Sequence, residues 1–262
     1  MTSSLAPAPL SPGWCIAPPL ALGLAAAGLM ASGANVPVFI ALNQWTSALP
    51  DGLWATVTDT ASVLSAGAVL ALCLHRAPQA VMAAVMAWPA GIVLVRGLKA
   101  LIDAPRPQDL IPAGDFHQIG VTLSGYSFPS GHTATAFTVL AALLLTTPAC
   151  RRAWPATLLL AAGVLVALSR IAVGAHWPGD VLAGAAAGWL CALIGMRLSH
   201  HWPLWRSRRV LGVLAVAGIV VSLARVFFET GYPQAQLWSS ALGLTGLLAA
   251  GVVLKTLWSP RP

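Results

Sequence analysis

Charge is what this chain has least of. Asp, Glu, Lys and Arg make up 8% of its 262 residues, too few to cover the surface of a water-soluble domain. That scarcity excludes a soluble globular enzyme. It also removes the usual reading of a net charge of +7 as a nucleic-acid surface, so no nucleic-acid partner is expected. The 4 cysteines, at 15, 73, 150 and 191, show neither the paired spacing of a zinc site nor a secreted disulfide framework. They are expected to be free, buried thiols. No repeat of fixed period occurs, and no low-complexity linker beyond the Pro-rich first dozen residues.

What is present is apolar sequence, 58% of the chain, in runs long enough to cross a hydrocarbon core at about 20 residues each. They fall near 15–33, 60–75, 79–101, 132–148, 154–173, 180–199, 209–228 and 237–256. The expected fold is all-α: a polytopic transmembrane helical bundle of eight spans forming one integral membrane domain over 1–262. The run from Cys15 to Gly33 has no basic n-region before it and is read as a span, although Ala31-Ser32-Gly33-Ala34 has the small residues of a leader cleavage site. Basic residues gather on alternate connections: Arg76; Arg151 and Arg152; Arg197, Arg206, Arg208 and Arg209; Lys255 and Arg261. The positive-inside rule puts these in the cytoplasm, with both termini. The intervening connections, with Asp51 and Asp59, residues 99–132, residues 170–180 and Glu229, face outward. Val36 to Thr60 mixes Leu, Trp and polar residues, as an interfacial segment with Trp45 and Trp54 at headgroup depth would. Gly184 and Gly188 are expected to permit close helix packing.

Ionisable residues beside membrane spans point to function when they can converge. Three outward clusters meet that condition. In Lys99 to Pro107 (KALIDAPRP), two cations flank one short turn, and Pro stops the helix. In Pro129-Ser130-Gly131-His132, the Ser hydroxyl and free backbone N–H groups stand at a helix N-terminus, an anion-binding end. In Ser169 to Asp180 (SRIAVGAHWPGD), Arg170 closes one span and His176 precedes a Pro-initiated one. Asp180, four residues after His176, is placed to accept Nδ1–H, leaving Nε2 as a nucleophilic lone pair. Singly, each cluster reads as snorkelling side chains or an N-cap; together they read as a phosphate site. Around them no carboxylates cluster as magnesium requires, so no metal is expected.

These three segments, KxxxxxxRP, PSGH and SRxxxxxHxxxD, resemble the signature of the type 2 phosphatidic acid phosphatase superfamily without a departure. The resemblance implies a six-helix phosphatase core, with its catalytic part at about 60–200, and two additional C-terminal spans at about 209–256. It implies that Lys99, Arg106 and Arg170 hold phosphate oxygens with Ser130 and the Gly131 amide. His176 attacks phosphorus, His132 protonates the leaving oxygen and then activates water, and Asp180 orients His176. No cofactor is implied. The expected substrate is a phosphorylated lipid, such as undecaprenyl pyrophosphate, phosphatidic acid, phosphatidylglycerol phosphate or lipid A phosphate. A phosphotransferase passing the group to another lipid fits the same residues. A phosphate transporter would not need a nucleophile beside a proton donor, and vanadium haloperoxidases, which share the signature, are soluble.

Other residues carry weaker expectations. Arg96 snorkels or extends the cationic site. Lys99 with Asp103, and Arg225 with Glu229, have helical pair spacing. His200 and His201 face cytoplasmic lipid headgroups. Asp109, Asp115, Phe116, His117 and Tyr126 lie in the long loop before PSGH without an assigned role.

Overall fold

The apolar runs fold as helices because a chain in lipid must satisfy its own backbone hydrogen bonds. The computed structural model describes residues 12–259, so Arg261 and nearly all of the Pro-rich N-terminal stretch lie outside it. The helices are α1 (Pro12–Ala31), α2 (Asn35–Thr46), α3 (Asp51–Asp59), α4 (Val63–Cys73), α5 (Pro78–Ile102), the single turn α6 (Pro107–Leu110), α7 (Gly131–Thr146), α8 (Ala153–Ala172), α9 (Pro178–His201), α10 (Arg208–Phe227) and α11 (Gln236–Trp258). Six of them, α1, α5, α8, α9, α10 and α11, are long and apolar enough to cross a membrane. The chain is an integral membrane protein of all-α architecture.

Each of the eight expected spans falls on a helix, but two are not simple spans. The second is α4, which reaches spanning length only together with α3 across a 65° bend. The bend follows from polar residues: Ser62 caps α4 by accepting Ser65 N–H at 3.3 Å. The fourth is α7, with 16 residues, about 24 Å of helix against a core of about 30 Å. Ser130 caps its start, and Pro148 opens a separate 3-10 turn after its end.

Helix α9 is the centre of the bundle and packs on α7, α5 and α1. The close approach comes from glycine. A Cβ on Gly184 would lie 2.5 Å from the Ser130 carbonyl, and one on Gly188 or Gly195 would collide with the carbonyl of Ala134 or Ala83. Trp189, fully buried, fills the space beside them, and its indole N–H donates to the Trp14 carbonyl of α1 at 3.1 Å. The hairpin of α10 and α11 packs instead on α4, where Leu74, Val81, Ala215 and Val253 form a separate cluster.

The connections separate by charge. Gln79 and His200 approach at 3.2 Å, and Arg208 donates to the Leu257 carbonyl. Arg76, Arg197, Arg206, Arg209 and Lys255 lie near in sequence at that same end, whereas the three motifs meet at the other.

Four expectations are corrected here. Trp54 is buried, with its indole N–H on the Thr46 carbonyl at 2.9 Å, so 36–60 is a packed two-helix segment rather than an interface anchor; Trp45 alone is exposed. Asp59 is fully buried, because its carboxylate pairs with Arg225 at 2.8 Å and accepts from Thr230 and Ser239. That pair takes the place of Arg225 with Glu229. Lys99 does not pair with Asp103, which ends α5 in the left-handed region (φ 48°); the ammonium turns to backbone carbonyls. All four thiols are free, but only Cys191 is fully buried.

Candidate active site

Three helix ends meet around His176. Arg170 stands in the last turn of α8, and its carbonyl accepts the N–H groups of Ala175 and His176 at 3.1 and 3.2 Å. That tight reversal uses Gly174 at φ +73°, where a side chain would also strike Phe116 and His117. Two asparagines of α2 hold the flanking helix ends. Asn43, wholly buried, donates to the carbonyls of Ile171 at 3.0 Å and His117 at 2.9 Å and accepts His117 N–H at 2.7 Å. Asn35 accepts Gly179 N–H at 2.9 Å. Each supplies a partner that a helix terminus lacks.

His176 is buried with Asp180, but their contact is not the direct bond expected from spacing. Nδ1 stands 3.4 Å from Asp180 Oδ2, longer than an ordinary N–H···O bond. Ser127 bridges the gap: its Oγ lies 3.3 Å from Nδ1 and donates to Asp180 Oδ2. The same oxygen accepts Trp177 N–H at 3.0 Å, so Asp180 caps α9 while facing the imidazole. Both acceptors lie on the Nδ1 side, which places the proton there and leaves Nε2 a lone pair. Burial, then the positive charges of Arg170, Arg106 and Lys99, hold His176 well below the ordinary imidazole pKa, so it is neutral near pH 7.

The cations surround this histidine. Arg106 donates from Nη1 to the Ala175 carbonyl at 2.8 Å, from Nε to Gly125 at 2.9 Å and from Nη2 to Tyr126 at 3.3 Å. These use three of its five N–H donors. Asp109 secures its backbone, accepting Arg106 N–H at 2.8 Å. Lys99 donates to the Tyr126 carbonyl and, at 3.3 Å, to that of Ser127. Arg170 is anchored from behind: Nη1 donates to Thr58 Oγ1 at 2.5 Å and Tyr232 Oη at 3.0 Å. Its buried Nε has no hydrogen-bond partner.

Ser130 and Gly131 begin α7 beside them. Ser130 N–H donates to the Asp180 carbonyl at 3.0 Å, and its Oγ accepts from Thr133 Oγ1 at 3.0 Å. His132, in the first turn, is within electrostatic reach of Arg170, His176 and Arg106. It also lines a cavity of about 370 Å³ between α4, α5, α7 and α9, walled by Leu70, Trp88, Ile92, Val95 and Val139, with Arg96 on the same wall.

All eight motif residues, Lys99, Arg106, Ser130, Gly131, His132, Arg170, His176 and Asp180, therefore share one end of the bundle. Sequence reasoning missed Ser127, Thr58, Tyr232 and Asn43. Asn43 left a signal, as a polar residue after an apolar run; Thr58, set among other polar residues, left none, and neither did Ser127 or Tyr232. Among the loop residues without an assigned role, Phe116 packs on Phe39 with ring centroids 5.7 Å apart, and His117 Nε2 meets Asp51 at 2.7 Å.

Residues 80–204 match the PAP2 superfamily. The chain is 36% identical over 86 residues to an undecaprenyl-diphosphatase of Sulfolobus acidocaldarius, a match covering 33% of this chain and 40% of that protein. It is 33% identical over 131 residues to a lipid A 1-phosphatase of Rhizobium etli, covering 43% and 52%. The chain thus spans about half or less of the length of these curated relatives. The crystal structure of Aquifex aeolicus LpxE superposes with a TM-score of 0.54 at 26% identity, covering 63% of this chain and 95% of that one.

Proposed function

With residues 80–204 forming a PAP2 superfamily domain, we propose that this chain is a phosphatase of lipid phosphates or lipid diphosphates that works through a phosphohistidine at His176. The observation that carries the reading is the position of His176: fixed on its Nδ1 side, ringed by three cations, and adjacent to an apolar cavity that begins at His132. The cations suit the phosphate, and the cavity suits a hydrocarbon chain entering from the bilayer. The lipid A and undecaprenyl relatives and the candidates phosphatidic acid and phosphatidylglycerol phosphate share that chemistry.

In the first step Nε2 attacks phosphorus, the N–P bond forms, and the bond to the lipid oxygen breaks as His132 delivers a proton to that oxygen. Lys99, Arg106 and Arg170, with the N-terminus of α7, stabilise charge on the equatorial oxygens. In the second step His132, now neutral, takes a proton from water; the resulting oxygen attacks phosphorus, the N–P bond breaks, and phosphate leaves. Asp180 opposes the positive charge that develops on the His176 ring. Basic connections at the end opposite the site favour an outward-facing site and cytoplasmic termini in a bacterial inner membrane.

The test is phosphate release from a panel of lipid monophosphates and diphosphates by detergent-purified protein in EDTA, with rapid alkaline denaturing quench to trap histidine-bound phosphate, identified by its loss in acid. Wild type is expected to release phosphate and to carry the label, and His176→Ala to do neither. Undiminished release by His176→Ala would overturn the mechanism. Loss of phosphate from the donor only when a second lipid is supplied, with the phosphoryl group recovered on that lipid and no free phosphate, would make the protein a transferase.

A further inference from the structure

The last two helices lie outside the residues that match the superfamily, yet a residue of the connection between them reaches the phosphate site. We infer that Tyr232, on the connection between α10 and α11, is a positioning residue for Arg170. The inference rests on the phosphatase reading for what Arg170 binds, but not for how it is held.

Tyr232 is buried against Trp54, Ala172, Val173 and Ala175, and so against the turn that carries His176. Its hydroxyl accepts from Arg170 Nη1 at 3.0 Å, and Thr58 Oγ1 accepts from the same nitrogen at 2.5 Å. Nη1 is thereby committed to the protein. The opposite edge of the guanidinium, Nε with Nη2, is left for two parallel bonds to phosphate oxygens, the forked contact that distinguishes arginine from lysine. Nε is buried without a partner, as a donor reserved for a ligand would be.

The hydroxyl cannot easily drift. Gly231, at φ +87°, accepts Val121 N–H at 3.3 Å. Gly120 leaves room for the Tyr232 ring, which a Cβ there would meet at 2.7 Å. On the other side Asp59, next to Thr58, receives Arg225, Thr230 and Ser239 from the hairpin. Both acceptors on Nη1 are therefore tied to the same pair of C-terminal helices.

The experiment measures orthovanadate affinity by tryptophan fluorescence, and kcat and KM where turnover occurs, for wild type, Tyr232→Phe, Arg170→Lys and the double variant. Losing a hydrogen bond to a charged group predicts about tenfold weaker vanadate binding for Tyr232→Phe, with a proportional fall in kcat/KM. In the Arg170→Lys background the same change should have no further effect, because the group it orients is gone. A merely structural tyrosine would act equally in both backgrounds, and that additivity, or wild-type affinity in Tyr232→Phe, would overturn the inference. Should Tyr232→Phe not fold, Thr58→Val removes the other acceptor on Nη1 and is judged by the same comparison. A wild type that binds vanadate but hydrolyses no lipid would refute the phosphatase reading while the affinity comparison still decides the role of Tyr232.

Discussion

Replacing Ser127 by alanine removes one oxygen from the contact between His176 and Asp180, and the geometry sets the size of the effect. In the intact site, Asp180 Oδ2 accepts from Ser127 Oγ and from Trp177 N–H at 3.0 Å, while the imidazole Nδ1 stands 3.4 Å away. A buried hydrogen bond to an ionised group contributes about 1.5–3 kcal/mol. Part of that returns if the ring closes a few tenths of an ångström toward the ordinary range of about 2.7–3.2 Å. The net loss in the transition state is then about 1.4 kcal/mol, or about tenfold in kcat. KM should hold, since Ser127 does not face the phosphate-binding edges.

Asp180→Asn is a different perturbation. It removes the negative charge that opposes the cation formed on His176, and neutralising such a carboxylate costs about 10³-fold or more. Initial rates of phosphate release in detergent, over a range of lipid concentrations, separate the two. The expected order is wild type, then Ser127→Ala, then Asp180→Asn, with the double variant no slower than Asp180→Asn alone. Wild-type kcat in Ser127→Ala would show the bridge to be idle. A loss as deep as that of Asp180→Asn would mean that Ser127 takes part in the chemistry itself, and either result refutes the positioning argument.

Two further outcomes follow from the same geometry. His176 is held below the usual imidazole pKa by burial and by Arg170, Arg106 and Lys99, so its nucleophilic neutral form persists as pH falls below about 6.5. The acid limb of kcat/KM should lie below that value and move up toward it in Arg170→Gln; an acid limb above 6.5 in wild type would contradict this assignment. Gly184→Ala places a Cβ 2.5 Å from the Ser130 carbonyl, forcing the start of α7 away from α9. A displacement approaching 1 Å at a reacting centre costs about 10²-fold. Gly212→Ala, where nothing lies within 4 Å of the added carbon, should keep full activity in the same assay, and equal rates for the two variants would remove α7 placement from the account.

The division between what was legible in the sequence and what was not follows the range of the interactions. The helices were legible because each is a local property, an apolar run bounded by Pro or a capping residue. The eight motif residues were legible because they sit at helix ends within three short segments, where a cation, an N-cap or an i,i+4 pair has a fixed meaning. What failed was pairing across the bundle. Arg225 has Glu229 four residues away, so helical spacing alone selected the wrong carboxylate; its partner Asp59 is 166 positions distant and wins because both charges are buried, where an unpaired ion is far costlier than at the surface. Lys99 and Asp103 failed similarly: the left-handed turn at Asp103 ends the helix on which the pair depended, and the ammonium found the carbonyls of Tyr126 and Ser127. Long separations likewise divide Arg170 from Thr58 and Tyr232, 112 and 62 positions, and His176 from Ser127, 49 positions. In a chain with so few charges, each one at the site is held by an element remote in sequence, and polar residues of the short helices α2 and α3, Asn43 and Thr58 among them, supply several of those restraints.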